Sequence, residues 1–187
     1  MVDMEAGTPD LIKLEDLDAA AGALTGRKHV LSILVENRPG VLARIAGLFS
    51  RRGFNIDTLA VGPTEDPEVS RITLTVDGAV HPIDQVTKQL HKLVNVIKIR
   101  DMEPGETIAR EMALFKVSAP IESRAEIMQF AEIFRAKIVD VSRRSLTIEV
   151  TGSADKVEAF ERMIRPHGLM EMVRTGEVAI ARSKPDS

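Results

Sequence analysis

The chain has 187 residues, of which 44% are hydrophobic and 28% charged, with a net charge of −3 and no cysteine, tryptophan or tyrosine. The absence of cysteine excludes disulfides and thiolate catalysis. Because the net charge is not positive and there is no tryptophan or tyrosine on which bases could stack, nucleic-acid binding is not expected. No apolar run approaches the roughly 20 residues that span a bilayer, so we expect a soluble cytoplasmic protein without a membrane segment.

Residues 1–27 differ in composition from the rest of the chain. They carry six acidic side chains against only Lys13 and Arg27, together with several glycines. Low hydrophobicity with an excess of acid is typical of a chain that cannot form its own core. We therefore predict a flexible acidic tail over 1–27 and a first folded domain from residue 28.

Residues 28–103 show the pattern of one small α+β domain. The apolar run over 30–35 predicts a central strand, and the helix that follows has Asn37 as its predicted N-cap and Gly53 as its C-cap. Further elements are predicted as strands over 54–61, 72–76 and 96–99, and as a helix opened by Pro82. The order βαββαβ is the ferredoxin-like arrangement, whose second sheet face has to be covered by another layer or another chain.

Residues 104–187 repeat that order after a Pro-Gly linker. We predict strands over 113–117, 138–141 and 146–150, and final strand material over 169–181. Two helices lie between them, one with Ser123 and Glu126 as a capping box and one capped by Ser153. The predicted fold class is therefore α+β, with two ferredoxin-like βαββαβ units.

The residues that usually carry catalysis are missing or scattered. The sequence contains no phosphate-binding loop, nucleophile elbow or dinucleotide glycine fingerprint. His29, His81, His91 and His167 lack the spacing of metal ligands, and we expect them to be solvated or hydrogen-bonded. We therefore predict no catalytic residue, no metal and no cofactor bound by this chain.

The segment over 37–40, Asn-Arg-Pro-Gly, has two interpretations. Free N–H groups at a helix N-terminus carry partial positive charge and bind carboxylates or phosphates. An ordinary strand-to-helix turn uses the same residue types and is common, so this segment taken alone favours the turn.

A longer stretch around this segment is similar to a known family. Residues 36–56, ENRPGVLARIAGLFSRRGFNI, closely resemble the ACT domain of the small regulatory subunit of acetolactate (acetohydroxyacid) synthase. Further similarity lies at 65–67, 70–73 and 89–93, and the second unit resembles the same family's C-terminal domain at 132–141 and 174–176. The resemblance therefore makes 28–103 an ACT regulatory domain and 104–187 the family's C-terminal domain.

This resemblance implies a subunit without catalytic activity of its own. Its partner would be the large catalytic subunit, which uses thiamine diphosphate, Mg²⁺ and FAD in the biosynthesis of valine, isoleucine and leucine. The small subunit would activate that partner and confer feedback inhibition by a branched-chain amino acid, with valine the first expectation. In this family the ACT domains pair edge to edge as a homodimer and bind the effector at their interface.

The same resemblance assigns the effector site to two segments. Residues Gly40, Val41 and Leu42 would present backbone N–H groups to the effector's carboxylate, and Asn37 would offer its side-chain carbonyl to the ammonium. Asn55 and Ile56 would come from the neighbouring chain, the first as a polar contact and the second as apolar lining.

Two other classes of function stay open on the sequence. A free-standing ACT-domain sensor that regulates another enzyme or a transcription factor would need only the first unit. A ferredoxin-like enzyme would need an acid–base or metal cluster, which the sequence lacks. Co-purification with a thiamine-dependent large subunit separates the regulatory subunit from the free-standing sensor, and activity of the isolated chain would support the enzyme.

Overall fold

The computed structural model describes residues 28–77 and 82–183, and the predicted tail over 1–27 lies outside this range. The first unit has the predicted element order. Its elements are β1 (Lys28–Glu36), α1 (Val41–Arg52), β2 (Thr58–Pro63), β3 (Val69–Asp77), α2 (Ile83–Leu90) and β4 (Val96–Asp101).

The four strands form one antiparallel sheet in the order β2-β3-β1-β4. Alternate residues of β1 and β3 face the helices, since Leu31 pairs with Leu74 and Ile33 with Ile72 in the register. All four side chains are buried. The core residues packed around them from the helices and strands are Val35, Val41, Ile45, Leu48, Phe49, Val76, Val86 and Leu90.

The second unit repeats the architecture and adds a strand. Its elements are β5 (Thr107–Ser118), α3 (Ile121–Ile133), β6 (Lys137–Val141), β7 (Ser145–Gly152), α4 (Ala154–Ile164), β8 (Leu169–Arg174) and β9 (Val178–Ala181). The sheet order is β6-β7-β5-β8, and β9 pairs with the beginning of β5 over Thr107–Arg110. In its core the ring of Phe160 lies 5.2 Å from Phe115 and 5.3 Å from Phe134, edge to face in both pairs.

The predicted fold class of two βαββαβ units is confirmed. The additional pairing of β9 with β5 explains how the second face of the first sheet is partly covered. The ribbon formed by β9 and the beginning of β5, called here the β5–β9 ribbon, contacts β1 of the first sheet. On the face turned away from the helices, Ser32, Thr73 and Thr75 are buried despite being polar. Part of the covering layer therefore comes from the same chain.

Two local predictions were wrong, and a third was right in position only. Strand β2 begins at Thr58, not at residue 54. The apolar side chains of Phe54 and Ile56, which suggested a strand, instead pack against the first core from the loop before β2. Helix α3 begins at Ile121 after Pro120, so Ser123 lies inside the helix and caps nothing. Ser153 occupies the N-cap position of α4 without a side-chain capping bond.

Candidate functional site

The loop between β1 and α1, residues 37–42, is called here the helix-start loop. Gly40 occupies the N-cap position with φ 83° and ψ −5°, a left-handed conformation that side chains with a Cβ disfavour. A Cβ built on Gly40 would meet nothing within 4 Å. Glycine is therefore favoured here by the backbone conformation, and the space in front of its backbone is open.

Asn37 does not cap the helix, which corrects the prediction. Its side-chain Nδ2 donates to the carbonyl oxygen of Pro67 at 2.8 Å, and its backbone N–H donates to the carbonyl oxygen of Glu68 at 2.7 Å. Both bonds attach the helix-start loop to the turn between β2 and β3. The amide oxygen of Asn37 accepts no hydrogen bond from the described residues, so it is available to a donor.

The first backbone N–H groups of α1 are only partly used. Arg44 donates the first helical bond to the Gly40 carbonyl at 3.1 Å, and Val41 reaches the Arg38 carbonyl at 3.4 Å. Within residues 28–77 and 82–183, the N–H groups of Gly40 and Leu42 donate to no acceptor. Unpaired N–H groups at the positive end of the helix dipole favour an anion, and this loop can therefore accept a carboxylate.

Neighbouring polar side chains hold the helix-start loop in place. Asn95 donates to the carboxylate of Glu36 at 2.7 Å and accepts from the guanidinium of Arg44 at 2.6 Å. The backbone N–H of Glu36 also donates to the carbonyl of Asn95 at 3.0 Å. These bonds connect the end of β1, the first turn of α1 and the segment before β4, so the loop's geometry does not depend on a ligand.

Asn55 and Ile56 lie at the other end of α1. This helix has 12 residues and is therefore about 18 Å long, which exceeds the reach of one amino acid. Asn55 is exposed and donates to the carboxylate of Asp57 at 3.0 Å, whereas Ile56 is partly buried against the first core. One chain does not bring these residues to Gly40, and a site containing both segments requires two chains.

A polar cleft between the two units was missed by the sequence analysis. Here the Glu111 side chain, only 1% exposed, pairs with Arg174 at 2.5 Å. Glu177 accepts a long bond of 3.5 Å from the Thr75 hydroxyl, and burial, followed by the nearby Glu111 carboxylate, raises the pKa of Glu177. The sequence offered little indication of this cleft, because these charged residues lie in distant segments and no local pattern indicates that they come together.

Two of the three histidines that the structure describes, His29 and His167, have ordinary side-chain partners. His29 Nδ1 lies 3.0 Å from an Asp101 carboxylate oxygen, and the ring of His167 packs 5.5 Å from Phe130. His91 is exposed after α2, and His81 lies outside the described residues. Among residues 28–77 and 82–183, no group of three His, Cys, Asp or Glu side chains is arranged to hold a metal ion. None of the helices described is long and apolar enough to cross a membrane.

Comparison with known proteins gives matches over both units. Residues 31–98 match the model of the "AHAS small subunit-like ACT domain", and residues 110–183 match that of the "small subunit of acetolactate synthase". The probable acetolactate synthase small subunit of Methanothermobacter thermautotrophicus is 51% identical over 82% of this chain and 92% of its own length. The acetolactate synthase small subunit of Mycolicibacterium smegmatis is also 51% identical, over 82% of this chain and 91% of its own.

A solved structure resembles the whole described architecture. The crystal structure of the acetolactate synthase small subunit from Thermotoga maritima aligns with a TM-score of 0.78 at 45% sequence identity. The alignment covers 85% of this chain and 99% of that one. The similarity thus extends through both βαββαβ units and their connection.

Proposed function

The chain belongs to the acetolactate synthase small-subunit family, and from this membership we propose that it activates the catalytic large subunit and makes it sensitive to branched-chain amino acids. The chain itself contributes no catalytic group. Thiamine diphosphate, Mg²⁺ and FAD belong to the partner. Valine is the first candidate effector, and leucine and isoleucine are to be titrated beside it. The match over 110–183 disfavours a free-standing ACT sensor, which would need only the first unit.

The main support for the proposed effector site is the start of α1, which is open and carries partial positive charge. The N–H groups of Gly40 and Leu42 have no acceptor among the described residues, and a carboxylate approaching them meets no side chain at Gly40. Val41 provides a third N–H with only a long bond of 3.4 Å. The free amide oxygen of Asn37 can accept from the effector's ammonium, since its Nδ2 is already occupied by Pro67.

The second half of the proposed site comes from another copy of the chain. Asn55 and Ile56 lie about a helix length from Gly40, so a homodimer that pairs ACT domains edge to edge is needed to bring them to the effector. Asn55 would then supply a polar contact and Ile56 part of the apolar lining. Because such a site exists only in one arrangement of the two chains, effector binding would favour that arrangement over others.

Replacing Gly40 with aspartate tests this site in the complex reconstituted with the large subunit. The added carboxylate would stand where the effector's carboxylate binds, and like charges 4 Å apart repel by about 1 kcal/mol in water and about 4 kcal/mol at an effective dielectric near 20. We expect the valine concentration for half-inhibition to rise at least about tenfold, while activation of the large subunit persists. Acetolactate formation with and without valine measures both quantities.

Gly40→Asn is the matched control, because it adds nearly the same shape without the charge. Asparagine and aspartate are the residues with a Cβ that best tolerate the left-handed region, so both variants carry a similar backbone strain at φ 83°. The aspartate variant should lose much more valine sensitivity than the asparagine variant. Unchanged valine inhibition in Gly40→Asp would show that the effector binds elsewhere, and equal loss in both variants would attribute the effect to the backbone.

A further inference from the structure

A separate apolar groove lies between the first sheet and the β5–β9 ribbon. Its volume is ≈ 380 Å³, within the range of small-molecule sites. Apart from two arginines and Thr73, every lining residue is Gly, Ala, Val, Ile or Pro. Val178 and Ile180, on the ribbon side, remain 59% and 56% exposed despite their apolar character. An apolar body of a few carbon atoms would bury part of this surface.

Two guanidinium groups line the same groove without a carboxylate partner. Arg71 donates to the Ser32 hydroxyl at 3.0 Å, and Arg110 donates to the carbonyl of Ala109 at 2.6 Å. Neither lies within 4 Å of a carboxylate of the described residues. Arginine stays charged in proteins and presents several donors at once, which suits an oxyanion such as a carboxylate.

The groove also discriminates against an amino acid. No aspartate or glutamate of the described residues lines it, so an α-ammonium group would find no anion there and would face two positive charges. This is the opposite of the helix-start loop, where Asn37 can accept from an ammonium. The chemistry of the groove therefore fits a carboxylate that lacks the amine.

We propose that the groove between β2 and the β5–β9 ribbon is a second binding site, which takes a short aliphatic monocarboxylate without an ammonium group. Arg71 and Arg110 hold the carboxylate, and Ala60, Ile108, Val178 and Ile180 surround the alkyl group. A 2-oxo acid and a short fatty acid share this chemistry. The site is independent of the proposed effector site, because none of its lining residues belongs to the helix-start loop.

Calorimetric titration of the full chain tests the proposal with matched probes. 3-Methyl-2-oxobutanoate and 3-methylbutanoate represent the two sources of such a carboxylate, and 3-methylbutylamine keeps the alkyl chain of the second while reversing the charge. We expect saturable binding of at least one carboxylate and none of the amine. Binding of the 2-oxo acid alone would identify the oxo group as a further contact. Absence of binding by both carboxylates, or binding of the amine, would overturn the proposal.

Variants then place the binding in the groove. Gly62→Val fills it, because a Cβ at Gly62 meets nothing within 4 Å and valine suits a strand, so binding should be lost without unfolding. Arg71→Gln and Arg110→Gln should each weaken binding about tenfold, whereas Arg52→Gln, on the exposed end of α1, should not. Unchanged binding in Gly62→Val would refute the site.

Two further measurements test whether the groove acts independently of the helix-start loop and whether a small molecule occupies it. Gly40→Asp should leave carboxylate binding in the groove intact even where it removes the valine response. The proposal for the groove and the proposal for the effector site can therefore fail separately. Sedimentation of Gly62→Val should show the oligomeric state of the original chain. Loss of assembly in that variant would mean that a second copy of the chain occupies the groove, and it would overturn the small-molecule proposal.

Discussion

Gly176 of the second unit lies directly against the backbone of strand β2 in the first unit. A Cβ built on Gly176 would lie 2.6 Å from the Leu59 carbonyl carbon, 2.7 Å from its oxygen and 3.0 Å from the backbone nitrogen of Ala60. Ordinary contact begins near 3.4 Å, so Gly176→Ala requires a shift of about 0.8 Å in backbone. No flexible side chain is available to absorb this shift.

The expected cost follows from this geometry. Overpacking of this kind destabilises by about 1–3 kcal/mol, and for a chain of this size each kcal/mol lowers Tm by roughly 2–4 °C. Backbone strain adds nothing, because Gly176 is not among the glycines with positive φ. The contact also positions its neighbours, since Thr175 exchanges hydrogen bonds with Met112 inside the second unit and Glu177 accepts from Thr75 of the first unit. The variant should therefore loosen the docking of the two units as well.

Scanning calorimetry of the full chain measures the loss, and Gly105→Ala is the matched control. Gly105 lies between the units, and a Cβ there meets nothing within 4 Å. We expect Gly176→Ala to melt below the original chain and Gly105→Ala to melt at or slightly above its Tm, because alanine reduces the entropy of the unfolded chain. Equal melting temperatures for the two variants would refute the reasoning that this contact resists any added atom.

Two predictions concern the charges in the cleft between the units. Arg174→Met leaves the buried carboxylate of Glu111 unpaired, so the free energy of unfolding measured in urea should fall by about 3–5 kcal/mol. Adding Glu111→Leu to the same chain should restore most of this loss. A small loss of stability in the single variant would mean that water reaches Glu111. The raised pKa of Glu177 favours its protonated form in the folded chain, so its contribution to stability is lost as pH rises from the ordinary value of 4.5 through the higher folded pKa. Glu177→Gln should therefore be more stable than the original chain at neutral pH, with the difference vanishing below pH 4.5, and Tm against pH for both proteins checks the sign.

The location of the helix-start loop was predictable because its signals are local. Asn37, Pro39 and Gly40 mark a helix start within a few residues, whereas the left-handed conformation of Gly40 was not predicted. The hydrogen-bond partners of Asn37 were not predictable, because Pro67 and Glu68 lie some 30 residues further along the chain. The same limit applies to Glu111, whose strand was predicted to begin only at residue 113.

What the sequence determined by itself is the identity and order of the elements in both units, together with the family resemblance. Periods of two and of 3.6 residues arise within single strands and helices, and so do glycine caps such as Gly53. The tertiary structure alone decided that β9 pairs with the start of β5 and that this ribbon packs against β1 of the first sheet. It also decided that Gly176 meets β2 backbone to backbone. These features depend on which distant segments meet, and hydrophobic periodicity carries no information about that.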